Sequence, residues 1–214
     1  LATVVDELVA PGRAILVGHS MGGMAIMALA EQHPEWFGTR VAGVALISTS
    51  AGDLGGVTLG VPGLPGRLLH KATPSVIATA ARAPRLVERG RRAGSDLAFA
   101  LTRRLAFGGP VPPEYVDFTD EMLSATPIEV VADFFPGFDT HDKQRALSVL
   151  TEVPTSVISG DEDMLTPLSH GRRIAEEVPS ATLLELPGGH MIILERHAEV
   201  NEALSELVDK AARA

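Results

Sequence analysis

The apolar residues Ala14-Ile15-Leu16-Val17 run straight into Gly18-His19-Ser20-Met21-Gly22-Gly23, and a helical pattern follows at once. A strand that turns directly into a helix through small residues leaves Ser20 on a tight, strained turn with its hydroxyl clear of the backbone. Glycines at 18 and 22 are expected to leave room for strand and helix to approach closely. The serine then stands at a helix N-terminus, where unpaired N–H groups and the helix dipole favour developing negative charge. G-x-S-x-G in the order strand, turn, helix is the pattern of a nucleophile elbow. The alternative is a glycine-rich turn whose serine only caps the helix.

Strand and helix signals alternate at both ends of the chain. Val41 to Ile47 is a continuous apolar run, as in a strand buried on both faces, and Thr155 to Ser159 and Ala181 to Leu186 read as further strands. Helices are expected over Met21 to about His33, closed by Pro34, and from Thr166 as N-cap and Pro167 as first helical residue to about Val178. A last one is expected over Glu195 to Ala212, with Val200, Leu204, Leu207 and Val208 on one face. Between 51 and 150 the character changes. A loop over Gly52 to Gly66 gives way to helical patches around Leu68-Leu69-Ala72, Val76-Ile77-Ala80 and Leu97-Leu101-Leu105, with breaks at Gly108-Gly109-Pro110 and Pro112-Pro113. The pattern predicts an α/β fold with a doubly wound, mostly parallel sheet. Residues 1–50 and 151–214 would form its core, and 51–150 a helical cap or lid. The chain opens at Leu1, already inside an apolar helical stripe of Val4, Val5, Leu8 and Val9. A strand feeding an elbow normally has neighbours on both sides, so earlier strands are expected to be missing from the N-terminus.

Composition narrows the partners. A formal charge of −9 argues against nucleic acid, and the absence of cysteine excludes disulfides, thiolate metal sites and a cysteine nucleophile. No apolar run approaches the ~20 residues of a membrane span, and the start of the chain lacks the pattern of a signal peptide. A cytoplasmic protein acting on a small molecule is expected. No metal-ligand spacing such as H-E-x-x-H occurs, and neither metal nor cofactor is expected.

A serine hydroxyl needs a base to take its proton. His190 follows the Ala181–Leu186 strand through Pro187-Gly188-Gly189, which puts it at the strand end equivalent to that of Ser20, where open α/β sheets gather ligands. The base in turn needs an acid to fix its tautomer. Asp161, Glu162 and Asp163 all follow the Thr155 strand, so three carboxylates compete.

The set G-H-S-M-G-G, G-D-E-D-M-L-T-P and P-G-G-H-M-I-I-L-E resembles the α/β-hydrolase superfamily, nearest to its small esterases, lactonases and cofactor-free haloperoxidase-like enzymes. The order serine, acid, histidine agrees with that family. The resemblance implies an ester-cleaving enzyme (ester, lactone or thioester) acting on a small acyl substrate through an acyl-enzyme. It makes Ser20 the nucleophile, His190 the base and Asp163 the acid, with Asp161 the next choice and Glu162 after it. It also implies an oxyanion donor from the Met21 amide. A second donor comes in the family from a loop after an early strand, and the nineteen residues before Ser20 hold no such loop. A serine at the elbow argues against dehalogenase or epoxide hydrolase chemistry, which uses an aspartate there. Acyl transfer or perhydrolysis on the same triad remains as an alternative, as does a non-catalytic ligand-binding member or an inactive fragment.

Other features have plainer readings. His19 is expected to support packing beside Ser20. Arg82, Arg85, Arg89, Arg91 and Arg92 read as a solvated helix face rather than an anion or membrane site. His141-Asp142 lacks a nearby nucleophile, and Phe134, Phe135 and Phe138 suit an acyl pocket and a local core equally.

Overall fold

The structure, a computed structural model, describes residues 1–9, 11–54 and 95–213, together with 75, 79, 80 and 82. Helix α1 (Ala2–Val9) turns through Pro11-Gly12 into β1 (Ala14–His19), and α2 (Met21–Gln32) begins directly after Ser20. Pro34, which lacks an N–H and cannot continue the helix, opens a short 3-10 turn over Pro34–Trp36 ahead of β2 (Val41–Ile47). The segment between β2 and β3 carries α3 (Ser95–Ala106), α4 (Pro113–Ala125), α5 (Ile128–Phe134) and α6 (Pro136–Thr140). Prolines stand at or just before the first residue of the last three, where their fixed φ suits a helix start. A 3-10 stretch over Gln144–Glu152 leads into β3 (Thr155–Gly160), α7 (Leu168–Glu177), β4 (Thr182–Leu186), α8 (Ile192–Glu195) and α9 (His197–Arg213).

The four strands pair in parallel in the order β1-β2-β3-β4. β2 and β3 are buried throughout; β2 is accordingly apolar without alternation, whereas β3 buries Thr155, Ser156 and Ser159 beside Val157 and Ile158. Leu46 and Val157 join Met27 of α2, Leu147 and Leu150 of the 3-10 stretch and Ile174 of α7 in one core. Ile47 and Ile158, one position on, join Ile192 of α8 and Val200 of α9 in another. That alternation places helices on both faces of the sheet, the doubly wound arrangement expected. His19 pairs with Ile47, Ile47 with Ile158 and Gly160 with Leu186, so the strands end together along one edge. Ser20, Ser48, Asp161 and Pro187 leave the sheet there.

Among the described residues only β2 pairs with β1, and Val17 is 52% exposed, in keeping with a strand expected to lack its other neighbour. Several local expectations are corrected. α7 starts at Leu168 with Pro167 as its cap, one residue later than expected, because the Thr166 amide and hydroxyl are both turned onto Asp163. The last helix is broken at Arg196 into α8 and α9, and the Glu195 side chain reaches the Gly108 and Gly189 amides at that break. The third helical patch falls within α3. The loop from residue 55, the patches around Leu68 and Val76, and Arg85, Arg89, Arg91 and Arg92 lie outside the described residues; Arg82 is exposed.

Candidate active site

Ser20 has φ 53° and ψ −118°, a conformation that costs a non-glycine residue about 1–3 kcal/mol. Its surroundings enforce it. The Ser20 amide donates to the Ile47 carbonyl at 2.8 Å, and its carbonyl accepts from the Gly23 amide at 3.0 Å and the Thr49 hydroxyl at 2.7 Å. A Cβ on Gly18 would lie 2.5 Å from backbone atoms of Gly22 and Gly23, so strand and helix touch backbone to backbone at that residue. Gly22, expected to be tight, has open space around it; Gly23 is the close one, against Thr49. The Ser20 side chain makes no cap bond to α2. Its Oγ lies 2.9 Å from Nε2 of His190 instead.

His190 is 7% exposed and Asp163 4%, and His190 Nδ1 lies 2.9 Å from Asp163 Oδ2. A carboxylate only accepts, so Nδ1 carries the hydrogen and the Nε2 lone pair faces Ser20. Asp163 Oδ1 also accepts from the Leu165 and Thr166 amides, and Oδ2 from the Thr166 hydroxyl, each at 2.8 Å. Burial pushes this carboxyl up, but the bonds from His190 and Thr166 outweigh it and hold the group below its ordinary range. It stays ionised where an imidazolium would form. Met21 opens α2, so its amide is one of the N-terminal donors that a helix does not use internally.

The competing carboxylates face elsewhere. Asp161 Oδ1 accepts from the Gly188 amide at 3.0 Å, and Glu162 is exposed, its own amide donating to the Gly188 carbonyl. His19 does support the site. Its Nε2 donates to the His190 carbonyl at 2.8 Å, and burial keeps its imidazole below the ordinary histidine value. His141 accordingly has a role apart from Asp142, with Nε2 donating to the Ser50 carbonyl. Phe138 packs on Met24 and Leu54 and meets Phe135 edge to face, whereas Phe134 is exposed. Thr49 and Thr166 escaped the sequence reading as site residues. Both make their contacts through hydroxyls pointing at strand-end loops, and only the position of Thr49 after a buried strand signals this. Among the described residues no cluster of metal-ligating side chains occurs.

Residues 1–203 match the model of the alpha/beta hydrolase family. The chain belongs to this family, and its parallel sheet flanked by helices is the α/β-hydrolase fold. It is 26% identical over 206 residues to a pyrethroid hydrolase of Sphingobium wenxiniae, covering 95% of this chain and 66% of that protein. It is 27% identical over 189 residues to a poly(3-hydroxyalkanoate) depolymerase of Ectopseudomonas oleovorans, covering 86% of this chain and 57% of that one. The chain thus spans between about half and two thirds of the length of these curated relatives. Among solved structures it is similar to an enol-lactonase from Burkholderia xenovorans LB400, with a TM-score of 0.71 and 25% identity over 96% of this chain and 69% of the other. Among the described residues no helix is long and apolar enough to cross a membrane.

Proposed function

We propose that this protein is a serine hydrolase that cleaves a carboxylic ester, lactone or thioester of a small acyl substrate through an acyl-enzyme. The observation that carries this reading is the unbroken relay from Ser20 Oγ to His190 Nε2 and from His190 Nδ1 to Asp163, each step 2.9 Å long. Ser20 Oγ attacks the acyl carbon while its proton passes to Nε2. The Met21 amide donates to the oxyanion that develops. Asp163 stabilises the imidazolium, which then returns its proton to the leaving oxygen or sulfur. Water enters next. It gives a proton to Nε2 as it attacks the acyl-enzyme, and collapse of the second tetrahedral species releases the acid and regenerates Ser20.

Similarity to a pyrethroid hydrolase, a polyester depolymerase and an enol-lactonase supports an ester-type bond as the target. The zero count of cysteine leaves serine as the nucleophile for an acyl-enzyme at this turn. The test is labelling with a fluorophosphonate probe, located by peptide mass spectrometry, with Ser20→Ala as control. Label on Ser20 that is lost in the variant, with turnover of a chromogenic short-chain ester, is the expected result. A folded protein that neither labels at Ser20 nor turns over the ester overturns the reading.

A further inference from the structure

The loop carrying His190 is held through its backbone at four consecutive residues. The Gly188 amide donates to Asp161, and the His190 carbonyl accepts from His19; both partners lie at the ends of sheet strands. The other two lead elsewhere. The Met191 amide donates to the Ala106 carbonyl at 2.8 Å, and the Gly189 amide donates to Glu195 Oε1 at 2.6 Å. Glu195 also accepts, through Oε2 at 3.2 Å, from the amide of Gly108. The residues immediately before and after His190 are therefore both tied to 106–108, the segment that ends α3. One tie is direct and the other runs through a single carboxylate.

The two segments meet without side chains between them. A Cβ on Gly108 would lie 2.6 Å from the Gly188 carbonyl carbon, and one on Gly189 would lie 2.5 Å from the Gly108 amide nitrogen. Around this contact Ala106, Phe107, Val116 and Met191 form a small buried cluster, so the segment is pressed onto the loop from its far side. A carboxylate accepting two backbone amides at once is a strong, directional clamp, because charge-assisted bonds are roughly twice as strong as neutral ones.

We infer that the 106–108 segment is part of the seat of His190, and that Glu195 is the positioning residue that locks the two together. This rests on the reading of His190 as the base. Displacement of the end of α3 is transmitted to the imidazole through Glu195 and Met191, so contacts made by α3 set the aim of Nε2 at Ser20.

The test uses Glu195→Ala, Glu195→Gln and Gly108→Ala, with circular dichroism to establish folding. The low-field proton resonance of His190 Nδ1–H, bonded to Asp163, reads the seat directly, and the fluorophosphonate labelling rate of Ser20 reads its consequence. In Glu195→Ala and Gly108→Ala the resonance is expected to broaden or vanish. Labelling is expected to slow by tenfold or more, and kcat to fall with KM little changed. Glu195→Gln, which keeps one acceptor oxygen, is expected to recover most of both. An unchanged resonance in folded Glu195→Ala or in folded Gly108→Ala overturns the inference. The hydrolase reading fails separately: wild-type protein that does not label at Ser20, yet loses the resonance on Glu195→Ala, keeps the seat and discards the ester chemistry.

Discussion

The Thr49 hydroxyl donates to the Ser20 carbonyl at 2.7 Å, across the ends of β2 and β1. Thr49 is 3% exposed and packs against Gly23. The bond is made to a peptide unit held in a strained conformation, and it opposes relaxation of the turn. Thr49→Val keeps the shape and removes the donor, and leaves that carbonyl with one partner fewer. A loss of about 1 kcal/mol in holding the turn is expected, slowing Ser20 labelling about fivefold. Labelling rates of the two proteins at equal probe concentration check this.

Asp163 and Asp161 separate cleanly. Asp163→Asn removes the charge opposite the imidazolium and favours the wrong tautomer, and a fall of about 10⁴ in kcat is expected from the comparable change in other triads. Asp161→Asn retains an oxygen for the Gly188 amide and is expected to keep its activity. Steady-state kinetics on one chromogenic ester compare the two. Equal losses would mean that the acid has been misassigned.

Stability is expected to fall on mild acidification. Burial is the largest influence on His19, His141 and His170, and in each it holds the imidazole below the ordinary value of about 6.5. Below that value the unfolded chain binds protons that the folded chain refuses, so stability rises with pH through the window. The contribution is complete above the unfolded value and is lost as the pH falls toward the lower folded ones. Asp163 acts in the same sense at more acidic pH. Its contribution is present above the unfolded carboxylate value of about 3.9 and is lost as the pH falls through the depressed folded value. Thermal melts between about pH 8 and pH 5 should show Tm declining, and His141→Gln, which can still donate to the Ser50 carbonyl, should flatten part of the slope.

Leu147 is fully buried in the larger core, whereas Leu8 on α1 is 78% exposed. Leu147→Ala is expected to cost about 2–5 kcal/mol, because the surrounding β2, α2 and 3-10 residues cannot close the cavity fully. Leu8→Ala is expected to stay within about 0.5 kcal/mol. Urea midpoints of the two variants give the comparison.

β2 was legible because a strand covered on both faces of a parallel sheet favours an uninterrupted apolar run. The shorter apolar stretches of β1, β3 and β4 were legible from the turn residues that bound them. Val41–Ile47 carries its own boundaries, with Arg40 before it and Ser48 after. Ser20, His190 and Asp163 were legible as candidates because each follows a strand at the same end, and the structure brings them within hydrogen-bond reach. Thr166 was read as a helix cap and Glu195 as the opening of a helix. Both have the local chemistry for those roles, but Thr166 is drawn back onto Asp163, three positions earlier, and Glu195 onto the Gly189 and Gly108 amides. The Glu195 contact with Gly108 spans 87 positions and leaves no periodic trace. Thr49 was legible only as a residue following a buried strand, since nothing near it in sequence reports the Ser20 carbonyl 29 positions away.

Ser20 and His190 meet across 170 positions of chain, with all four strands in register beneath them. Local helices re-form early in refolding, whereas contacts between remote strands must first overcome the entropy of closing long loops. Reactivity at Ser20 is thus a clock for the last stage of folding. A refolding sample is expected to regain its helical dichroism before it accepts a fluorophosphonate, and the lag between the two signals measures how long the strand ends take to find one another.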